Sequence, residues 1–256
     1  MRKSARVRLF VSEIPDKGGR LTVEDDAFFY LCRVMRLGEG DSVHIFNDES
    51  GEWRGELGTP QKREVSVCVA ERIRPPEKRP SLTLVFSPLK NKEENFLLQK
   101  ATELGVGRLL PCRFSRTVAR DVKRDHAQKI VVEAAEQCER VSVPLIDETR
   151  HFTDVAEALA GEDGLLCLHC DEQGEGKPAR EALSSLPPHD KAALIVGPEG
   201  GFTDEERASL KTIFGEKLAR LCLGPRILKA ETAAMAALVC YQTFCGDWNA
   251  LPRYRD

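Results

Sequence analysis

No segment of the 256-residue chain approaches the roughly 20 consecutive apolar residues that a membrane-spanning helix needs, which removes a helical membrane protein from the readings. The start, MRKSARVRLFV, carries positive charge but lacks the long apolar stretch and cleavage signal of a secretory leader, so a cytoplasmic protein is expected. Internal repeats and low-complexity tracts are absent. A G-x-x-x-x-G-K-[ST] phosphate loop is missing, and Gly197 to Gly201 does not fit G-x-G-x-x-G, which leaves little support for a nucleotide-phosphate cradle. A second C-x-x-C is missing too. Cys167-x-x-Cys170, with His169 between, cannot complete a four-ligand zinc site alone and lies in an apolar run that reads as a buried strand, so no metal is expected. The nine cysteines are odd in number and scattered through segments such as Val67-Cys68-Val69 and Leu221-Cys222-Leu223; they read as reduced, small hydrophobes rather than a disulfide framework.

What is present describes an ordinary globular chain, with 41% apolar and 31% charged residues and enough length for two modest domains. A formal net charge of −3 argues against a nucleic-acid partner only until it is divided along the chain. Residues 108–129 carry seven basic side chains (Arg108, Arg113, Arg116, Arg120, Lys123, Arg124, Lys129) against Asp121 and Asp125. Such a local patch either binds a phosphate backbone or is a solvated helix face.

Residues 1–73 hold short alternating segments, Arg6 to Val11, Ser42 to Asn47, Glu52 to Gly58 and Glu64 to Arg72, separated by Gly- and Asp-rich turns. Closely spaced short strands imply a small barrel. Glu24 to Arg36 reads as its one helix, capped by Thr22, with Arg33 and Arg36 three apart on one face. The proline-rich stretch 74–80 is the expected linker. From 81 to 256 strand and helix patterns alternate, the signature of an α/β domain. Strands are expected at Leu82 to Ser87, Val106 to Pro111, Gly164 to His169, Ala192 to Val196 and Leu218 to Leu223. Helices are expected from Asn91 (with Glu94 as a capped start) to Gly105, over Asp125 to Arg140, over Thr153 to Ala160, from the Thr203-x-x-Glu206 capping box to Phe214, and to about Tyr241.

Two loops dominate the second half. Gly197-Pro198-Glu199-Gly200-Gly201 follows one strand, and Leu223-Gly224-Pro225-Arg226-Ile227-Leu228-Lys229-Ala230-Glu231-Thr232-Ala233 follows the next. Loops at the C-terminal ends of parallel strands form the crevice where open α/β sheets bind ligands. Cys170 to Gly174 would be a third such loop; its Asp171 and Glu172 either bond a ligand or solvate a turn.

These paired motifs resemble the GPEGG and LGxRILRxETA segments of the small-subunit ribosomal RNA uridine-N3 methyltransferases, the RsmE-like branch of the SPOUT superfamily. Gln99 to Gly105 is similar to the family's QKATELG, and Glu133-Ala134-Ala135-Glu136-Gln137 to its EAxEQ. Val23 to Trp53 resembles the PUA-like barrel that opens the family. Lys229 and Ala230 depart from the commoner Arg-Thr.

The resemblance implies a SPOUT-type α/β domain with a C-terminal trefoil knot, preceded by a PUA-like barrel. It also implies S-adenosyl-L-methionine as cofactor, ribosomal RNA of the small subunit as partner, and a homodimer. Cofactor-binding candidates are Gly197, Pro198, Glu199, Gly200, Gly201, Leu223, Gly224, Ile227, Leu228 and His169. RNA-binding candidates are Arg33, Arg36, Arg113, Arg116, Arg120, Lys123 and Arg124. Uridine N3 becomes a good nucleophile only on losing its imide proton, which calls for a base or for cationic stabilisation at O2 or O4. Glu199 and Glu231 are the candidate bases and Arg226 the candidate stabiliser; alternatively Glu231 complements a helix dipole and Arg226 forms a structural salt bridge.

Overall fold

The alternating segments near the N-terminus each place one apolar face inward, and in the computed structural model they share one core. Residues 7–173, 175–187 and 189–250 are described; Arg6, where the first strand was expected to begin, and Gly174 of the third loop lie outside them. The chain divides into two compact units, the first reaching Arg79 and including Ala135–Val143, the second comprising Pro80–Ala134 and the chain from Pro144 onward.

In the first unit, β1 (Arg8–Phe10), β2 (Arg20–Glu24), β3 (Ser42–Asn47), β4 (Gly51–Leu57) and β5 (Glu64–Arg74) form a sheet of order β1-β3-β4-β5-β2, curled about a core. Val23, Leu31, Val43, Ile45, Leu57, Val65 and Val67 are among the buried residues. The helix of this unit differs from the expected one over Glu24 to Arg36. Thr22 pairs with Ser66 inside β2, so its side chain is not a cap, and the helix begins at Asp25. One turn, α1 (Asp25–Phe28), passes into a π-helix over Phe29–Val34. Arg36 lies beyond it in the left-handed region (φ +56°), so Arg33 and Arg36 do not share a helical face.

In the second unit, β6 (Leu82–Phe86), β7 (Arg108–Arg113), β8 (Leu145–Ile146), β9 (Arg150–His151), β10 (Leu165–Cys170), β11 (Lys177–Pro178), β12 (Lys191–Val196) and β13 (Leu218–Cys222) make a parallel sheet. Its order is β11-β13-β10-β12-β6-β7-β8, with β9 joined to β7. β6 and β10 are buried along their whole length, which explains their unbroken apolar character.

The helices are α2 (Asn91–Glu103), α3 (Arg124–Gln137), α4 (Phe152–Ala160), α5 (Ala179–Ser184), α6 (Asp204–Phe214) and α7 (Ala230–Phe244). α7 packs on α2 and α5, whereas α4 and α6 pack together over Phe114, Ile195 and Phe202. The start of α2 also differs from expectation. Lys90 is its N-cap without a side-chain bond, because Glu94 Oε2 instead accepts from Leu89 N (3.3 Å). α3 stops at Gln137 rather than Arg140, since Glu139 turns left-handed (φ +61°), and Cys138 is exposed. The short elements β2, β8, β9, β11 and α5 had no periodic signal of their own.

The capping box of α6 forms as expected. Glu206 N donates to Thr203 Oγ1 (3.2 Å) and Thr203 N to Glu206 Oε2 (2.8 Å), while Glu206 Oε1 accepts from Ser115 N at 2.7 Å. Thr203→Ala removes one of these partners and is expected to lower stability by about 1 kcal/mol, read as a shifted urea midpoint at unchanged slope.

Candidate functional site

Because the second sheet is parallel, the loops leaving β10, β12 and β13 emerge at one edge. The β10 and β13 loops line a cleft of about 420 Å³, counting its open mouth. Its walls are Cys170, Asp171 and Glu172 on one side, Cys222, Leu223, Gly224, Arg226, Ile227 and Leu228 on the other, with Ala233 of α7. Gly224 has φ +109°, a conformation that residues with a side chain rarely adopt. Ile227 is 91% exposed, an apolar side chain with no protein partner to cover it.

Asp171 is buried in this wall. Its Oδ1 accepts from Gln173 N, but Oδ2 has no hydrogen-bond partner, and the Arg220 Nη1 nearest it is 3.9 Å away. His169 does not line the cleft. It is 1% exposed, edge-on to the Phe202 ring at 4.4 Å between centroids, with both ring nitrogens unpartnered. Burial pushes its pKa down to about 4; Asp171 opposes the fall, and Arg207 and Arg220 add to it, so the imidazole is neutral at pH 7. His169, Asp171 and Glu172 bring ligand-type atoms within 4.8 Å of one another. Glu172 Oε1 is already held by Phe202 N (3.1 Å) and Arg207 Nη2 (2.6 Å), a setting in which two arginines compete with any metal cation. Cys167 and Cys170 are buried thiols whose pKa burial raises, that of Cys170 to about 12, so they stay protonated.

The Gly197–Gly201 loop is tied to both its neighbours. Glu172 holds Phe202 N from the β10 side, while Arg116, in the loop after β7, donates to Gly200 O (2.9 Å) and Phe202 O (3.4 Å). Gly201 has φ +71°, and a Cβ there would lie 2.7 Å from Glu172 Oε1. Pro198 and Glu199 line a different, larger cavity with the loops after β6 and β7. The two glycine motifs therefore wall two cavities, where sequence suggested one crevice.

The candidate catalytic residues separate accordingly. Arg226 is on the cleft and Glu199 is exposed on the larger cavity; Glu231, in the first turn of α7, keeps Oε2 buried and unpartnered. The basic segment sorts as sharply. Arg108 pairs with Asp147 and Glu162, Arg113 with Asp121, and Arg124 with Glu148 at 3.7 Å. Arg116 is committed to the glycine loop, whereas Arg120 and Lys123 line the larger cavity. In the first unit, Arg33 lies 5.8 Å from the Phe28 ring centroid. Sequence reasoning gave Glu94 only as part of a helix start and did not single out Lys90 or His126 of the larger cavity, although Lys90 follows the strand-end Ser87-Pro88-Leu89 turn at the same sheet edge.

Residues 76–242 match the model of the RNA methyltransferase domain, and residues 23–67 that of the RNA methyltransferase PUA domain. Among curated relatives, ribosomal RNA small subunit methyltransferase E of Rickettsia conorii is 30% identical over 84% of this chain and 85% of its own. The protein of the same name from Bacillus subtilis is 30% identical over 87% and 90%. Among solved structures, a Legionella pneumophila methyltransferase with bound SAM superposes with a TM-score of 0.78 at 28% identity, covering 93% of this chain and 98% of that one. The Neisseria gonorrhoeae ribosomal RNA small subunit methyltransferase E shares the fold at a TM-score of 0.82 and 24% identity, over 95% and 100%. With both domain models matched in order and 30% identity sustained over most of two relatives, this chain belongs to the RNA methyltransferases of the ribosomal RNA small subunit methyltransferase E family.

Proposed function

We propose that this protein transfers a methyl group from S-adenosylmethionine to N3 of a uridine in small-subunit (16S) ribosomal RNA. The observation that carries the reading is the cleft between the β10 and β13 loops, built from the second sequence motif and containing an unpartnered buried acceptor, Asp171 Oδ2. The residues fit the cofactor by type. S-adenosylmethionine offers ammonium and hydroxyl donors to such an acceptor, and its adenine suits the apolar Leu223, Ile227 and Leu228.

When bound, the cofactor supplies a methyl group on a sulfonium, a good leaving group for in-line displacement. The chain's own residues must position the acceptor and manage its proton. Arg226 is suited to stabilise negative charge developing on a uridine carbonyl oxygen, as an exposed cation beside the cleft. Glu199 and Glu231 are the candidate bases for the imide proton. Glu199 meets the cavity rich in basic side chains, where an RNA nucleotide would approach, and is the stronger of the two. Gly197, Gly200 and Gly201 let that loop pack closely on Phe202, Arg116 and Glu172, the last a wall of the cleft, and His169 supports it from behind through Phe202.

The same reading carries the finer features: a trefoil knot, a homodimer, and a cytoplasmic location. Among the described residues no helix is long and apolar enough to cross a membrane. It also carries a domain division into a PUA-like barrel over residues 1–73, a linker over 74–80 and a catalytic domain over 81–256, with Arg33, Arg36, Arg113, Arg116, Arg120, Lys123 and Arg124 as RNA contacts. Calorimetric titration with S-adenosylmethionine and its demethylated product, followed by mass spectrometry of treated ribosomal RNA, tests the activity. Micromolar binding with a methylated uridine supports it; a folded protein that binds RNA but never the cofactor is instead a non-catalytic RNA-binding protein. Arg226→Ala is expected to reduce turnover at least tenfold with cofactor affinity nearly unchanged, and equal losses in both would make Arg226 a binding residue.

A further inference from the structure

The larger cavity is a built feature at the catalytic edge that the cofactor cleft does not use. It is bounded by Ser87 to Asn91 after β6, Arg116 to Lys123 after β7, and Pro198-Glu199 of the glycine loop, and it measures about 1430 Å³ with its open mouth. Its frame is tied internally. Ser87 Oγ and Thr117 Oγ1 lie 3.0 Å apart, linking the two loops, and Thr117 Oγ1 also accepts from Phe114 N at 2.9 Å. Glu94 Oε2 holds Leu89 N and so fixes the turn that presents Lys90.

Three cationic side chains in this frame, those of Lys90, Arg120 and Lys123, make no hydrogen bond or ion pair among the described residues, in contrast to Arg108, Arg113 and Arg124 nearby. Beside them is one exposed apolar side chain, Val118, which is 96% exposed; Pro88 and Pro198 of the same wall are buried. Uncommitted cations next to an exposed apolar side chain suit one chemistry in particular, that of a single-stranded nucleotide, whose phosphates need charge and whose base needs an apolar contact or a guanidinium plane, here Val118 and Arg120. Arg116 then joins this cavity to the cofactor side, because its guanidinium holds Gly200 O and Phe202 O while Glu172 of the cleft holds Phe202 N.

We propose that this cavity receives the extruded target nucleotide of single-stranded RNA, with Lys90, Arg120 and Lys123 contacting its flanking phosphates and Val118 its base. The assignment rests on the methyltransferase reading for the identity of the base, but the RNA contact stands apart from it. An enzyme acting on a ring nitrogen must hold the base outside its stack, and a cavity walled by the glycine loop, which Glu172 of the cleft holds through Phe202 N, provides the place.

The test uses the full chain and small-subunit ribosomal RNA, with binding measured by filter retention between 50 and 300 mM salt, alongside calorimetry with S-adenosylmethionine. Lys90→Gln and Lys123→Gln are each expected to weaken RNA binding about tenfold and to lower the salt slope by about 0.7, the value for one single-strand phosphate contact, with cofactor affinity within twofold of wild type. Lys90→Arg is expected to recover most of the loss. Lys211→Gln, a charge-matched change in the last turn of α6, is expected to do nothing. RNA affinity and salt slope unchanged in the double variant Lys90→Gln/Lys123→Gln, or a loss equalled by Lys211→Gln, overturns the proposal. Loss of cofactor binding in the wild type, with these RNA effects intact, would instead overturn the methyltransferase reading alone.

Discussion

Gly201→Trp is expected to lower S-adenosylmethionine affinity at least a hundredfold while the first unit remains folded. Two effects act together. The backbone at Gly201 has φ +71°, which costs a bulky side chain on the order of 1–3 kcal/mol. The new Cβ would also lie 2.7 Å from Glu172 Oε1, the atom that receives Phe202 N and the Arg207 guanidinium. Displacing Glu172 deforms one wall of the cleft and frees two donors, and a hundredfold loss is about 2.7 kcal/mol. Calorimetry reads the affinity, and hydrogen exchange in β3 to β5 reads the integrity of the first unit. Unchanged affinity in a variant that retains its fold would separate this loop from the cofactor. Gly224→Ala provides a contrast, since a Cβ there meets nothing within 4 Å and only the backbone conformation resists it.

The loops at issue were legible because their determinants are local. Thr203-x-x-Glu206 closes over three residues, and the glycines at 201 and 224 stand where the backbone turns left-handed. What was not legible depends on sheet order. β12 and β13 are consecutive in sequence but have β10 between them, so loops that seemed to share one crevice wall two cavities. Charge shows the same limit. The seven basic residues of 108–129 look equivalent in sequence, yet Arg108 is neutralised by partners 39 and 54 residues away. Lys90 was passed over for the complementary reason: a lone lysine before a helix carries no pattern until folding sets it beside Arg120 and Lys123. The helix of the first unit failed on backbone grounds, because hydrophobic spacing does not report a π-helical turn or the left-handed residues that bracket it.

The largest effect on stability is expected at Glu52, a residue no motif singled out. Its carboxylate is 2% exposed and gathers Arg8 Nε (3.0 Å), Arg8 Nη2 (3.2 Å), Arg74 Nε (2.6 Å) and His44 Nδ1 (3.0 Å). Arg8 is itself saturated. It donates to the carbonyls of Ala135, Glu136 and Arg140 and sits 4.0 Å over the Phe46 ring, so the same guanidinium joins the sheet to the 135–143 segment within the first unit. Glu52→Gln keeps the shape but leaves the buried Arg8 guanidinium and the half-buried Arg74 without a counter-charge, an arrangement that costs about 3–5 kcal/mol, a large part of a domain's total of about 5–15. Burial alone would push the Glu52 pKa up, but His44, Arg8 and Arg74 outweigh it and hold the carboxylate at about 2 against an ordinary 4.5. A depressed folded-state value means stability that is present above pH 4.5 and is lost as the pH falls toward 2, amounting to about 3 kcal/mol. Urea unfolding at pH 7, 4 and 3, followed in the first unit, should therefore show a gap between wild type and Glu52→Gln that is widest at pH 7 and closes on acidification. A gap that stayed constant with pH would mean that glutamine loses packing rather than charge, and that Arg8 is held by its carbonyls and the Phe46 ring alone.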